Sequence, residues 1–251
     1  GSSHVHCNVN TQLLWDEYGM AAYLMTGAEQ PLWNSYYNLK EALKTQKPKL
    51  VVLDMFCPSR FYDDFQPGWA DENLDGMRIS LNKLEAVYTS VQEEQSHFFL
   101  GFTEYHSRYD QLTTEDFQNF VWNRKTQERW KGYTPLNRHA ELTEPDMSHV
   151  TTSQEMTEKS KEYFEKIVEL TKKEGIALAL ISGPYLLEER DQEVYNSIGQ
   201  LAEKDGLLFW NTNTPAHYRE MGLDFSTDYA DHAHLNEAGG AKYTAYLGKW
   251  L

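Results

Sequence analysis

The residues best suited to chemistry sit at the two ends of the chain. It opens Gly1-Ser2-Ser3-His4, and near its other end runs Asp228-Tyr229-Ala230-Asp231-His232-Ala233-His234-Leu235-Asn236. Asp231 and His234 stand three apart, just before a helix-like run from Glu237 to Leu251. A carboxylate so placed holds an imidazole in one tautomer and stabilises its cation, and that imidazole can take a proton from a serine hydroxyl. Ser3 is the serine on offer. The chain order serine, aspartate, histidine is a known arrangement of such triads, though geometry and not order defines them. The residues therefore describe an enzyme that closes its two ends over one site. Taken singly, Ser3 reads as a terminal residue and His234 as a helix-capping one. Their joint occurrence, with a loop glycine at Gly27 between them, favours catalysis.

Two other readings use the same residues. His4-x-His6 and His232-x-His234, with Asp54 and Asp231, make a set of imidazoles and carboxylates suited to a metal-dependent hydrolase. Imidazoles two apart share a face on a strand, but beside a serine loop they need not converge. The third reading is a non-catalytic carbohydrate-binding protein on the same fold, since fold does not dictate activity. Gly-Ser-Ser-His also opens many histidine tags. A tag continues as a histidine run, whereas this chain continues Val5-His6-Cys7, so the stretch reads as native.

Composition narrows the partners. Lys and Arg number 23 against 38 Asp and Glu, a formal net charge of −15. So acidic a surface disfavours nucleic acid and anionic membrane. Hydrophobic residues make up 40% of the 251, enough for the core of one large α/β domain spanning 1–251. The sixteen Tyr and seven Trp suit an aromatic core, or a groove whose rings stack on sugars. Two cysteines, Cys7 and Cys57, do not diagnose an oxidising compartment, and free thiols are the default. This stretch holds no run of about eighteen apolar residues, and nothing in it reads as a signal peptide. A nucleophile loop ordinarily follows a strand, so residues upstream of Gly1 are expected, and they would hold a signal or anchor.

The elements that must position these groups alternate. Thr11 to Tyr18 reads as helix or turn, and Tyr18 to Met25 as a short buried strand. Pro31 suits the first position of a helix that continues through Leu43. Leu50 to Phe56 is the clearest buried strand. From Cys57 to His149 the punctuation changes, and the reading is a long, mostly helical insertion with helices at Leu81–Val91 and Thr114–Trp130. Thr152 or Ser153 can cap a helix reaching Lys173, with Gly175 as its stop. Ile176 to Ile181 is a strand, Glu188 to Lys204 a helix, and Leu207 to Trp210 the last strand. Such alternation predicts a parallel sheet covered on both faces, with ligands beyond the carboxyl ends of its strands.

Gly1-Ser2-Ser3, the loop glycine Gly27 and Asp231-x-x-His234-Leu235-Asn236 together resemble the SGNH/GDSL hydrolase superfamily. The likeness is greatest to its bacterial extracytoplasmic group, which includes the D-alanyl transfer protein of the teichoic-acid pathway and the alginate O-acetyltransferases. It covers roughly residues 1–56 and 153–251 and leaves the insertion unexplained. The resemblance implies an α/β/α sandwich with a parallel, flavodoxin-like sheet in the order 2-1-3-4-5, its central strand lying before Gly1. It implies Ser3 as nucleophile, Asp231 and His234 as its partners, and the N–H groups of Ser3 and Gly27 as oxyanion donors. The family's third donor, an asparagine after the Leu50–Phe56 strand, has no counterpart, because Asp54 and Cys57-Pro58-Ser59-Arg60 stand there. The implied activity is O-acyl transfer or ester hydrolysis on a cell-surface polysaccharide or teichoic-type polymer, with no cofactor. A membrane-bound O-acyltransferase partner and an extracytoplasmic, membrane-anchored location follow from the same likeness. His106, Arg108 and Tyr185 are the further candidates for substrate contact, with Arg108 suited to an anionic group.

Overall fold

The computed structural model describes residues 1–61, 64, 65, 67–93, 95–99, 113, 114, 118 and 130–251. A parallel sheet of three strands lies at its centre, β1 (Leu50–Asp54), β2 (Ala177–Ser182) and β3 (Leu208–Asn211), in the order β1-β2-β3. Leu53 pairs with Leu180, and Leu180 with Phe209, which fixes which side chains share a face. Leu53, Leu178, Leu180 and Phe209 point to one cluster, and Val52, Ile181 and Trp210 to the other. Both faces are therefore apolar, as a parallel sheet with helices on both sides requires.

On the first face pack α3 (Leu32–Leu43), α6 (Leu81–Ser90), α7 (Glu158–Glu174) and α8 (Glu189–Asp205). On the second pack α2 (Thr11–Tyr18), α9 (Pro215–Met221) and the last helix, α10 (Glu237–Trp250). Three short α-helices are also described: α1 (Ser3–His6), α4 (Phe56–Arg60) and α5 (Ala70–Leu74). The stops of α7 and α8 fall where the sequence places them. Gly175 and Gly206 adopt left-handed φ of 69° and 66°, a conformation in which any Cβ is strained. No described helix is long and apolar enough to cross a membrane.

Four expectations need correction. Of the expected strand Tyr18 to Met25, Tyr18 ends α2, Gly19 is its left-handed cap and Met20 to Met25 joins no sheet, so three described strands stand where the order 2-1-3-4-5 was expected. Met20, Ala22 and Leu24 lean on the second core while Tyr23 is 70% exposed, which produces strand-like alternation without a ladder. Pro31 precedes α3 as its N-cap residue and is not its first residue. The α7 helix starts later than expected, at Glu158, because Thr157 and not Thr152 or Ser153 caps it. Residues 150–154 are held straight against α8 instead: Asn196 Nδ2 donates to the Val150 and Thr152 carbonyls, and Gln154 N–H to that of Glu193. Finally, the described end of the Cys57–His149 stretch is not helical. From Gly132 onward it is a strap without helix, bonded to the loops around the site. Most of the expected Thr114–Trp130 helix lies outside the described residues, as do His106 and Arg108.

Candidate active site

Asp54 sets the position of the nucleophile loop. It ends β1, buried, and one of its oxygens accepts from both the Ser2 hydroxyl (2.6 Å) and the Ser2 N–H (3.2 Å). Its other oxygen accepts from Phe56 N–H at 3.2 Å. Burial pushes the Asp54 carboxyl upward, and the bonds from Ser2 oppose that shift. The approach is close enough to need glycine beside it, since a Cβ on Gly1 would lie 2.8 Å from the Asp54 Cβ. Ser2 then caps α1, its hydroxyl accepting from His4 N–H. Ser3 is thereby presented as the first residue of α1, where a backbone N–H has no partner inside the helix.

The other end of the chain is tied to the same place. Asn8, just past α1, accepts Leu235 N–H on its side chain at 3.0 Å and the Thr244 hydroxyl on its carbonyl at 3.2 Å. Asn10 N–H donates to the Thr244 hydroxyl at 2.9 Å. The intervening loop folds back on itself, with Tyr229 opposite Leu235 and Ala230 N–H on the His234 carbonyl. Asn236 caps α10, and Gly239 lets the helix approach the loop, since a Cβ there would sit 2.2 Å from the Asp228 carbonyl oxygen. Leu186 N–H donates to the His232 carbonyl, which fastens the loop to the segment beyond β2. The site therefore lies beyond the carboxyl ends of β1 and β2, the edge at which parallel sheets bind ligands.

These ties bring three expected residues together. The Ser3 hydroxyl lies 2.8 Å from His234 Nε2, and His234 Nδ1 lies 2.8 Å from an Asp231 oxygen. The network assigns the proton to Nδ1, so Nε2 accepts from the serine. That same Asp231 oxygen accepts the N–H groups of Ala233 (2.9 Å) and His234 (3.0 Å). Burial would raise the Asp231 carboxyl. The Ala233 bond and the charge and bonds of His234 outweigh it and hold the group below the usual carboxylate range.

The remaining histidines do something else. His4 is buried, its ring stacked on Phe56 at 3.5 Å between centroids, with Tyr185 edge-on at 4.9 Å and His234 at 5.5 Å. Neither of its ring nitrogens has a partner. Burial, helped by His234, His6, Arg60 and His232, drives its pKa well below the ordinary value, so it is neutral. His6 is pushed down to about 4, again mainly by burial. Uncharged neighbours leave room for a cation on His234. The His-x-His pairs do not assemble a metal cage: among the described residues no three His, Cys, Asp or Glu side chains come together in a geometry that would hold an ion.

Two expected contacts take other forms. Gly27 N–H donates to the Gly1 carbonyl at 3.3 Å. Gly27 is needed for space, because a Cβ there would fall 2.3 Å from Asn73 Oδ1. Tyr185 is buried behind His4, its hydroxyl 3.1 Å from that of Tyr195. Cys7 and Cys57 are free and buried, and burial raises both thiols, Cys7 to about 12, which makes them poor nucleophiles. Sequence reasoning missed Arg138, whose Nη2 lies 3.0 Å from the second Asp231 oxygen. It belongs to no motif, and only the path of the strap places it there.

Comparison with known proteins adds nothing to this geometry: no family model, no curated protein and no solved structure matches the chain.

Proposed function

We propose that this protein is a serine-dependent acyl-transfer enzyme, an O-acyltransferase or esterase of the SGNH type, acting through an acyl-enzyme on Ser3. One observation carries the reading: the continuous relay from the Ser3 hydroxyl through His234 to Asp231, built from opposite ends of the chain. In the first step His234 Nε2 takes the serine proton as Ser3 Oγ bonds to an ester carbonyl carbon. The carbonyl oxygen becomes an oxyanion, with the Ser3 N–H at the start of α1 as its expected donor. Such donors are each worth about 10²–10³ in rate. The imidazolium, supported by Asp231, then protonates the leaving alcohol as the ester bond breaks. Water or a sugar hydroxyl, deprotonated by His234, takes the acyl group and restores Ser3.

The substrate class rests on the family resemblance of the end motifs and on composition. An acidic, aromatic-rich chain with no phosphate-binding loop argues against nucleotide-activated donors. The reading that follows is modification of O-acyl groups on a cell-surface polysaccharide or teichoic-type polymer, outside the cytoplasm, with the acyl group supplied by a membrane-bound O-acyltransferase. Replacing Ser3 by Ala in the producing cell tests this. Ester-linked acetate or D-alanine on the purified envelope polymer is expected to change. Unchanged ester content, with the protein fractionating in the cytoplasm, would discard the polymer and leave a small-molecule esterase.

A further inference from the structure

Arg138 lies on the strap, and the strap is fastened on both sides of it. Before it, Thr134 N–H donates to the His6 carbonyl at 2.7 Å, and the Leu136 carbonyl accepts Glu237 N–H at 2.9 Å. After it, His139 Nε2 meets the Ser226 carbonyl at 2.9 Å, and Ala140 and Leu142 donate to the carbonyls of Tyr229 and Phe225. These bonds reach α1, the start of α10 and the loop before Asp231. The strap thus spans the same elements that carry Ser3, Asp231 and His234. An arginine here needs no ordering of its backbone to reach the carboxylate.

Asp231 consequently has a donor on each oxygen. One faces His234 Nδ1 and two backbone N–H groups, and the other faces Arg138. Without Arg138 the second oxygen would have no described side-chain partner, and the carboxylate would be freer to turn about its last torsion, which is a soft one. Arg138 also acts electrostatically. Its cation draws on the charge that Asp231 offers to His234. The other groups near His234 and Asp231 are His4 and His6 on α1, His232 on the loop and Cys7 beyond α1. His4, His6 and Cys7 are held uncharged by burial. Arg138 is therefore the one described cation in direct contact with the triad carboxylate.

We infer that Arg138 is a positioning residue of this site, which locks the orientation of Asp231 and limits how strongly it stabilises the His234 cation. The inference rests on the serine-triad reading above. Its side chain is 67% exposed, so screening keeps the effect moderate.

The test is steady-state turnover of p-nitrophenyl acetate across pH by the full chain and by Arg138→Ala, Arg138→Lys, Ser3→Ala and Asp231→Asn. Arg138→Ala is expected to lower kcat about three- to five-fold with KM unchanged, as an exposed ion pair allows. The acid limb of its kcat profile should move to higher pH, because the cation opposing imidazolium formation is gone. Arg138→Lys, which keeps the charge, should restore the limb. In the Asp231→Asn background, Arg138→Ala should cost nothing further. A rise in KM with kcat and the acid limb unchanged would overturn the inference in favour of substrate contact. So would the same loss with and without Asp231. Wild-type behaviour of Arg138→Ala alongside an inactive Ser3→Ala would overturn the inference alone. Full turnover by Ser3→Ala would overturn it together with the triad reading.

Discussion

Asp54 and Asp231 both stand at the carboxyl edge of the sheet, and both hold a residue of the candidate triad region in place. They do it by different physics. Asp54 is 4% exposed and spends its oxygens on Ser2 and Phe56, and its burial raises its pKa. Asp231 has a side chain 28% exposed, faces His234 and Arg138, and is held below the ordinary carboxylate range. A buried carboxyl is a good hydrogen-bonding anchor and a poor source of charge, because desolvation disfavours its ionised form. A half-exposed one with several donors keeps its charge and can stabilise a cation. The structure thus assigns anchoring to one end of the site and electrostatics to the other.

Substituting each aspartate separates these roles. Asp231→Asn keeps the shape but removes the charge and the tautomer control. Ester turnover should fall by about 10³–10⁴, the scale of triad carboxylate loss, with little change in melting temperature. Equal activity of this variant would mean that the His234–Asp231 contact is ornamental. Asp54→Ala should show the opposite balance. It strands the Ser2 hydroxyl and two backbone N–H groups in a buried place, at a cost on the order of 3 kcal/mol of stability. Chemical denaturation should register that loss, and turnover of the fraction that remains folded should fall less than in Asp231→Asn.

The histidines sharpen the same contrast with a smaller effect. His234 has a carboxylate partner, whereas burial, helped by the nearby His234 and the Gly1 amino group, lowers the His6 pKa to about 4. A histidine depressed on folding binds fewer protons in the folded state than in the unfolded one. Stability therefore declines as pH falls from about 6.5 towards 4. At pH 5 the His6 share is roughly 2 kcal/mol, so His6→Gln should flatten the decline measured by denaturation between pH 7 and 5. An unchanged slope would show that His6 is solvated.

The comparison also marks what the sequence makes legible. The meeting of Ser3, Asp231 and His234 was readable because serine, imidazole and carboxylate together suit a proton relay and because Asp231 and His234 stand three apart just before a helix-like run from Glu237. β1, β2 and β3 were readable as apolar runs bounded by turn residues. Tyr18 to Met25 misled because alternation reports one buried face, and a segment outside any sheet that lies on a core, as Met20 to Met25 does, has one as surely as a strand does. Thr152 misled because capping residues are common in straight segments, and the side chain that fixes residues 150–154, Asn196, lies over forty residues away. Arg138 and Asn73 were invisible for a related reason. Their partners, Asp231 and Gly27, are distant in sequence, and no periodicity or motif links them.

The most direct test of the serine relay is a covalent one. The protein is mixed with p-nitrophenyl acetate, quenched rapidly in acid, and examined by intact mass and peptide mapping. The relay predicts one added acetyl group on the peptide that begins the chain, located at Ser3, and none in Ser3→Ala. Turnover of the ester with no acetyl at Ser3, or undiminished turnover by Ser3→Ala, would contradict it.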